Sequence, residues 1–251
     1  MQIRQLLLTA NVKLFSRNNE TPYIILICST GLANNSDSGE KRMKADKKKQ
    51  HVSELTPQEF QKTFPIILKD VLPEFADWYE EERTALLGVI DEKDVVRINH
   101  IGSSAIPNIK AKPVIDILLE LDGTANVDSI VEALKTIGFG VEVSIKKENP
   151  FEYLLAKGMT VDGFAEKVFL LHLRYAGDWD ELYFRDYMLD NPDVAAEYSS
   201  LKEKILNDIS EGKLERMPNG QPNGYSNAKY SFVREISQKA RATYPGKYRL
   251  K

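Results

Sequence analysis

The chain has 251 residues, of which 42% are hydrophobic and 28% are charged, and its formal net charge at pH 7 is −3. This length is sufficient for a sizeable core in one domain. The slightly acidic balance argues against a nucleic-acid partner and against a basic membrane-surface binder. One cysteine, Cys28, excludes an intramolecular disulfide and a cysteine-based zinc site, and it is typical of a protein of the reducing cytoplasm.

Residues 1–50 differ in composition from the rest and are predicted to be a disordered segment, an extension or a linker, so that residues 51–251 form the folded domain. They contain a short apolar run, Tyr23–Cys28, and a basic polar stretch, Lys41–Lys49. The apolar run is too short to span a bilayer, and its flanks fit a secretory signal poorly. We therefore expect no membrane attachment. Residues 1–42 are interpreted either as an upstream extension or as an interaction arm.

The globular pattern begins with two helices. Thr56, Pro57 and Glu59 supply an N-cap, a first-turn proline and a capping-box partner. They predict a short helix that Pro65 interrupts. A second helix is predicted over residues 73–90, because apolar residues recur there at helical spacing.

Strands are predicted next, followed by helices. The strand predictions depend on enrichment in β-branched and aromatic residues and cover residues 95–101, 113–121, 139–145, 151–155 and 168–175. The helix predictions depend on helical periodicity and caps and cover residues 127–137, 178–189, 192–209 and 225–244. Together they predict an α+β fold, with a mixed sheet of about four or five strands, helices packed on one face and a helical C-terminal part.

The run from His100 to Ile117 carries the clearest chemical signal. It joins a small-residue turn, Gly102–Ser104, to an apolar strand that contains the carboxylate of Asp116. Glycine and serine let backbone N–H groups and hydroxyls approach an anion closely, Lys110 and Lys112 supply positive charge, and a carboxylate can hold a metal ion. This combination indicates phosphate chemistry. The alternative is a tight turn before a buried strand, with Asp116 capping a neighbouring backbone group.

The same run resembles the signature of the GrpB family of bacterial proteins, which belongs to the nucleotidyltransferase-like superfamily. That signature reads His-[Ile/Val]-Gly-Ser-[Thr/Ser]-[Ser/Ala]-[Val/Ile]-Pro-Gly, then Ala-Lys-Pro and a strand that bears an aspartate. Further matching blocks follow in the same order and are Phe164–Phe169, Leu171–Tyr175, Phe184–Tyr187, Tyr225, Lys229 and Phe232–Val233. The resemblance covers about residues 73–243 and implies a nucleotidyltransferase-like sheet.

The resemblance also implies two metal-binding carboxylates, two residues apart on the strand after the turn. Asp116 is the first of these, but Leu118 occupies the second position. Glu120 shares the same strand face, yet it lies roughly 13 Å along the strand at about 3.3 Å per residue. Because Mg–oxygen distances are only about 2.1 Å, Glu120 cannot simply replace the missing acid. A two-metal mechanism is therefore in doubt for this chain.

A second candidate group lies on the strand predicted over 168–175, where Leu170, His172 and Arg174 share one face. If this strand neighbours that of Asp116, the site combines a carboxylate, an imidazole and a guanidinium. Related proteins tend to read His-Leu-His where this chain has Leu170-Leu171-His172. His172 is either a metal ligand or a base with Asp116 as its partner, or a hydrogen-bonded core residue.

Other cations in the matching blocks carry two interpretations each. Tyr225 and Lys229 are four residues apart on one helix face. Either Tyr225 contacts a base and Lys229 a phosphate, or both pack along the helix while the Lys229 amine extends to solvent. Arg185 and Asp186 form either an internal salt bridge or part of a phosphate clamp. His100 is interpreted either as a hydrogen-bond donor to Ser103 or to a bound ligand, or as the cap of its strand.

Two functions follow from the resemblance. One is a nucleotidyltransferase-like enzyme that transfers a nucleotidyl or phosphoryl group with Mg²⁺ or Mn²⁺, with Asp116 and His172 as catalytic residues and Asp116 as the metal ligand. The other is a catalytically degenerate nucleotide-binding or sensing module, which Leu118 and Leu170 favour.

In both cases the expected partner is a nucleotide or another phosphorylated small molecule. The residues expected to bind it are Gly102, Ser103, Ser104, Lys112, Arg174, Tyr225 and Lys229. The sequence names neither the substrate nor the acceptor, nor the oligomeric state.

Overall fold

The computed structural model describes residues 51–146, 151–214 and 224–250. The predicted extension, residues 1–50, lies outside the described residues, so its boundary stays a prediction. Within the described part of the chain, no helix combines the length and the apolar character needed to cross a bilayer.

The N-terminal helix α1, Pro57–Thr63, begins at the predicted capping box. The Glu59 amide donates to the Thr56 hydroxyl at 3.3 Å, and the Thr56 amide donates to the Glu59 carboxylate at 2.7 Å. The helix ends before Pro65, because the residue before a proline is disfavoured in helical geometry. A two-residue strand β1, Lys69–Asp70, and the helix α2, Glu74–Leu87, follow.

The predicted mixed sheet is confirmed. Six further strands follow: β2 (Val95–Ile101), β3 (Lys110–Ala111), β4 (Ile115–Leu121), β5 (Val141–Lys146), β6 (Glu152–Thr160) and β7 (Gly163–Tyr175). Five of them form one sheet in the order β2-β4-β7-β6-β5, while β1 pairs with β3 in a separate two-stranded sheet. Only β4 and β7 run parallel within the larger sheet, and its other neighbours are antiparallel.

Five more helices complete the described chain. They are α3 (Val127–Thr136), α4 (Asp180–Asp190), α5 (Pro192–Ser210), α6 (Tyr225–Ala228) and α7 (Tyr230–Thr243). The prediction of one continuous helix over 225–244 is wrong at Lys229. The backbone there, at φ −88° and ψ −11°, forms a turn that separates α6 from α7.

The two faces of β4 have different surroundings. Ile115, Ile117, Leu119 and Leu121 are fully buried in the main core, which they share with residues of α2 and α3. Each such side chain contributes roughly 1.5–3 kcal/mol by its burial. Asp116, Leu118 and Glu120 alternate onto the opposite face. Leu118 packs there against Ile101 and against Leu182 of α4, so the helical C-terminal part meets the sheet beside β2.

The connection from β2 to β3 contains two left-handed residues. Gly102 has φ +70° and ψ −171°, and it precedes a short 3₁₀ turn, Ser103–Ala105. Asn108 has φ +60° at the position where the family signature has glycine. Asparagine tolerates this conformation better than most residues, so the departure from the signature keeps the backbone path.

We expect Asn108→Gly to leave the free energy of unfolding within about 0.5 kcal/mol of its original value, and Asn108→Val to lower it by about 1–2 kcal/mol. The reason is conformational, since Asn108 is exposed and a β-branched residue adopts positive φ only with strain. Urea unfolding of both variants measures the difference. An equal loss for glycine and valine would contradict this explanation.

Candidate functional site

Asp116 of β4 and His172 of β7 face each other across the parallel β4–β7 pair of the larger sheet. In the register, His172 lies opposite Leu118, and Asp116 lies opposite Leu170. The His172 Nε2 is 3.4 Å from the Asp116 Oδ1, with the two side chains 22% and 27% exposed. The strand adjacency on which the sequence interpretation depended is therefore present, and both groups are accessible from solvent.

The glycine-serine turn lies directly against the Asp116 carboxylate. A Cβ atom placed on Gly102 would be 2.4 Å from the Asp116 Oδ2, so a side chain at this position would displace the carboxylate. The first hydrogen bonds of the turn run from the Ala105 amide to the Gly102 carbonyl and from the Ile106 amide to the Ser103 carbonyl. The amides of Ser103 and Ser104 precede these bonds and have no acceptor within the turn, as is usual at a helix start. Such amides can donate to a bound anion.

His100 and Ser104 support the turn from the core side. The His100 Nε2 and the Ser104 Oγ are 3.1 Å apart, and the imidazole stacks on Tyr79 at 5.0 Å between ring centroids. Burial lowers the pKa of His100 to about 4, so the ring is neutral at physiological pH. The Ser104 hydroxyl therefore helps to hold the turn.

Lys112 and Lys229 approach Asp116 from two different parts of the chain. Burial lowers the pKa of each lysine, and the charge of Asp116 opposes that shift in both. The Lys229 Nζ lies 4.8 Å from the centroid of the Tyr225 ring. Tyr225 is itself buried, so it supports the lysine rather than offering a free stacking surface. The turn, the carboxylate and two of the predicted lysines thus occupy one region.

Two residues of α5 belong to this region and were missed by sequence reasoning. The pKa of Tyr198 is raised to about 12, mainly by burial. A hydrogen bond from Ser103 lowers this pKa, whereas the negative charge of Asp116 raises it further. Lys202 is 1% exposed; its Nζ donates to the Lys110 carbonyl and lies 4.5 Å from the Tyr198 ring centroid.

A sequence signal for these two residues existed. The buried positions of α5 are Ala195, Tyr198, Lys202 and Ile205, which follow one face at helical spacing. A lysine in the middle of that apolar face is unusual, because lysine is almost never fully buried without a specific partner. The spacing alone could have singled out Lys202.

Arg174 has different neighbours from the lysines. Its guanidinium is 2.8 Å from Glu181 and 3.9 Å from Glu152, and it stacks on Trp179 at 4.6 Å. Burial would raise the pKa of Glu181, but the charges of Arg174 and His172 lower it. These acids hold Arg174 on the β6 and α4 side of His172, and its assignment as a phosphate-binding residue stays a prediction.

Glu120 and Arg185 are engaged in structural ion pairs. Glu120 is fully buried and accepts from Arg97 at 2.6 and 2.9 Å and from the Gly177 amide at 3.0 Å. Arg185 donates to Asp186 at 2.7 and 2.9 Å and to the His100 carbonyl at 3.0 Å. The salt-bridge interpretation of Arg185 is therefore the one observed, and Arg185 anchors the end of β2 just before the turn.

The donor set around Asp116 does not fit a centre of two metal ions. Mg²⁺ prefers carboxylate and other oxygen ligands, but Leu118 fills the second acid position with a buried apolar side chain and Glu120 is bound to Arg97. Within residues 51–146, 151–214 and 224–250, no group of three or more His, Cys, Asp or Glu side chains could hold a metal ion. The neighbouring Lys112 and Lys229 would also repel a cation.

A separate groove of about 620 Å³ runs along β2 and α2 and is lined by residues that include Arg83, Leu87 and Val96. None of the residues singled out from the sequence as site residues lines it. The convergence of the turn, Asp116 and the lysines, rather than the size of this groove, identifies the candidate site.

Comparison with known proteins places the chain among bacterial relatives. Residues 65–239 match the family model described as "GrpB protein". The "Glutamate-rich protein GrpB" of Alkalihalophilus pseudofirmus is 33% identical over 165 residues, which cover 63% of this chain and 86% of that protein. A UPF0157 protein of Halalkalibacterium halodurans is 28% identical over 212 residues, covering 82% and 97% of the two chains.

A solved structure has the same fold. The crystal structure of the conserved protein GrpB from Enterococcus faecalis superposes with a TM-score of 0.56 at 23% identity, and it covers 71% of this chain and 99% of that one. The family model alone spans more than half of the 251 residues. The chain described here therefore belongs to the GrpB family.

Proposed function

We propose that this protein binds a nucleotide, or another phosphorylated small molecule, in a nucleotidyltransferase-like site formed by the turn Gly102–Ser104, Asp116 and the lysines beside them. One observation carries this proposal: the amides of the turn and two half-buried lysines, Lys112 and Lys229, surround a single carboxylate. Backbone amides and ammonium groups are the donors that proteins use for phosphate oxygens. The nucleotide, as the favoured phosphorylated ligand, comes from the resemblance to the superfamily.

Calorimetric titration with a panel of nucleotides tests this function, using the full chain and Lys112→Met. We expect at least one nucleotide to bind, and Lys112→Met to weaken it about tenfold, because a charge-assisted hydrogen bond contributes about 1.5–3 kcal/mol. Lys93→Met is the matched control, since Lys93 is exposed and pairs with Asp91, two residues away. Equal affinity in both variants would remove Lys112 from the site, and the absence of any nucleotide binding would refute the proposal.

The contact between His172 and Asp116 favours a second candidate function, the transfer of a nucleotidyl or phosphoryl group. With the His172 Nε2 directed at the carboxylate at 3.4 Å, the other ring nitrogen can accept the proton of an attacking hydroxyl. The hydroxyl oxygen then forms a bond to phosphorus, and the P–O bond to the leaving group breaks. For a nucleoside triphosphate, pyrophosphate departs with that electron pair in nucleotidyl transfer, and the nucleoside diphosphate departs with it in phosphoryl transfer. Asp116 stabilises the imidazolium that results. The charge on the phosphoryl oxygens is balanced by the lysines and the turn amides.

Asp116→Asn separates transfer from binding. We expect this variant to lower any turnover by about 10²-fold or more, because it removes the charge that stabilises the imidazolium. Nucleotide affinity should not fall, since the lost carboxylate is a negative charge beside an anion. His172→Gln should behave in the same way. Mass-spectrometric product analysis measures turnover, and calorimetry on the same samples measures affinity.

The contrary outcomes are equally distinct. Absence of turnover in the unmodified chain, together with tight nucleotide binding, would favour a sensing module over a transferase. A loss of affinity in Asp116→Asn that appears only when Mg²⁺ is present would favour Asp116 as a metal ligand. A lowered unfolding midpoint with unchanged affinity and turnover in both variants would make the pair purely structural.

A further inference from the structure

Lys112, Lys202 and Lys229 form a cationic cluster, and this cluster lacks the acids that normally accompany buried lysines. Elsewhere in the chain the pattern is the usual one: the Lys157 ammonium pairs with the buried Glu82 at 2.7 Å. Among the described residues, none of the three cluster lysines forms an ion pair with a carboxylate. The burial of Lys202 is nearly complete, and its hydrogen-bond partner is a backbone carbonyl.

The charge balance of the cluster is unfavourable without a ligand. Asp116 is the one acid that influences Lys112 and Lys229, and Lys229 adds to the positive field at Lys202. Removing charges from water is costly unless opposite charges compensate them. Glu203 also favours the charged form of Lys202, but its carboxylate is paired with Lys110 at 2.7 Å. With all three lysines protonated, the cluster and Asp116 therefore sum to about +2, which an anion carrying two or more negative charges would neutralise.

We propose, on the basis of the function proposed above, that Lys112, Lys202 and Lys229 replace divalent metal as the charge-neutralising element of the site. The ligand then carries at least two adjacent phosphate groups, as a nucleoside diphosphate or triphosphate does, and it binds without a metal ion. The argument is chemical: Leu118 occupies the second carboxylate position, and Glu120, too far along the strand to replace it, is paired with Arg97, while three ammonium groups converge on the same region.

Lys202 gives this proposal a second readout. Burial lowers its pKa to about 7, and the charge of Lys229 adds to that lowering. The other groups that face it are the Lys110 carbonyl from β3 and, on its own helix, Tyr198 and Glu203. A polyphosphate favours the charged ammonium and raises this pKa. At about pH 8, where the free lysine is mostly neutral, binding should therefore take up a proton, and affinity should fall as pH rises above 7.

The test is calorimetric titration of the full chain with inorganic pyrophosphate and with a nucleoside triphosphate, in EDTA and in Mg²⁺. We expect pyrophosphate to bind in EDTA, and Lys202→Met and Lys229→Met each to weaken it about tenfold. Lys204→Met is the matched control, because Lys204 lies two residues away on the same helix, is exposed and pairs with Asp208. Titrations at about pH 8 in buffers of different ionisation enthalpy should show proton uptake, which Lys202→Met reduces.

Lys202→Gln separates the loss of charge from a loss of fold, because the glutamine amide can still donate to the Lys110 carbonyl although it carries no charge. It should reproduce the loss of pyrophosphate affinity with an unchanged circular dichroism spectrum. Nucleotide binding that requires Mg²⁺ and is unaffected in the lysine variants would overturn the inference and leave the proposed function standing. Nucleotide binding without pyrophosphate binding would do the same. If neither phosphates nor nucleotides bind under any condition, the inference and the proposed function fail together.

Discussion

Replacing Gly102 by alanine is expected to lower the free energy of unfolding by about 2–4 kcal/mol and to abolish measurable phosphate binding. Gly102 has φ +70° and ψ −171°, a region that residues with a Cβ adopt only with strain. The added methyl group would also lie 2.4 Å from the Asp116 Oδ2 and 3.0 Å from its Cβ and Cγ. Either the turn or the carboxylate must then move, and both belong to the site.

Gly123→Ala is the matched control for this change, because a Cβ atom at Gly123 has no neighbour within 4 Å and its φ is not positive. Urea unfolding and calorimetric titration of both variants measure stability and binding. Gly123→Ala should change the free energy of unfolding by less than about 1 kcal/mol. If Gly102→Ala retained the original stability and affinity, the close packing of the turn on Asp116 would be refuted.

A second large effect is expected on stability alone. Glu120→Gln should lower the free energy of unfolding by about 3 kcal/mol, since it removes one partner of a buried ion pair and leaves Arg97 without its counter-charge. The Glu120 side chain is 0% exposed, and that of Arg97 is 24% exposed. Nucleotide affinity, measured on the folded variant, should stay unchanged because the hydrogen-bond partners of Glu120 are Arg97 and the Gly177 amide, which are not part of the proposed site.

Glu132→Gln controls for the loss of a glutamate charge. Glu132 is 73% exposed and pairs with Lys135 one helical turn away, so its replacement should change stability by less than about 0.5 kcal/mol. Chemical denaturation of both variants provides the comparison. If Glu120→Gln were as stable as the original protein but had lost metal-dependent turnover, Glu120 would be a metal ligand, and its structural role would be contradicted.

Local signals predicted most of the secondary structure. The capping box at Thr56 and Glu59 fixes the start of α1, and the runs of apolar residues fix β2 and β4 almost to the residue. The outer half of the hairpin formed by β6 and β7 was missed. Its residues 164–166 are exposed, so no alternation of buried and exposed side chains marks them as strand. The break at Lys229 has no local signal, since no proline or glycine lies there.

The site was predictable only as far as short-range patterns extend. The turn, Asp116 and His172 could be singled out, but their contact depends on β4 and β7 being parallel neighbours, which no local pattern specifies. Lys202 was missed although it lies on the apolar face of α5, because a lysine on a helix is ordinarily solvated. Its burial against Tyr198 and the Lys110 carbonyl arises from tertiary packing of α5 on β3. The acids that hold Arg174 come from the elements on either side of β7 in the sequence, Glu152 of β6 and Glu181 of α4.

The most direct measurement is a crystal structure of the protein with a bound, non-hydrolysable nucleoside triphosphate, grown in the presence of EDTA. The proposed site predicts phosphate oxygens within about 3.2 Å of the Ser103 or Ser104 amide and of the ammonium groups of Lys112 and Lys229. Phosphates bound instead in the groove along β2 and α2, or contacting neither the turn nor these lysines, would contradict the site proposed for this protein.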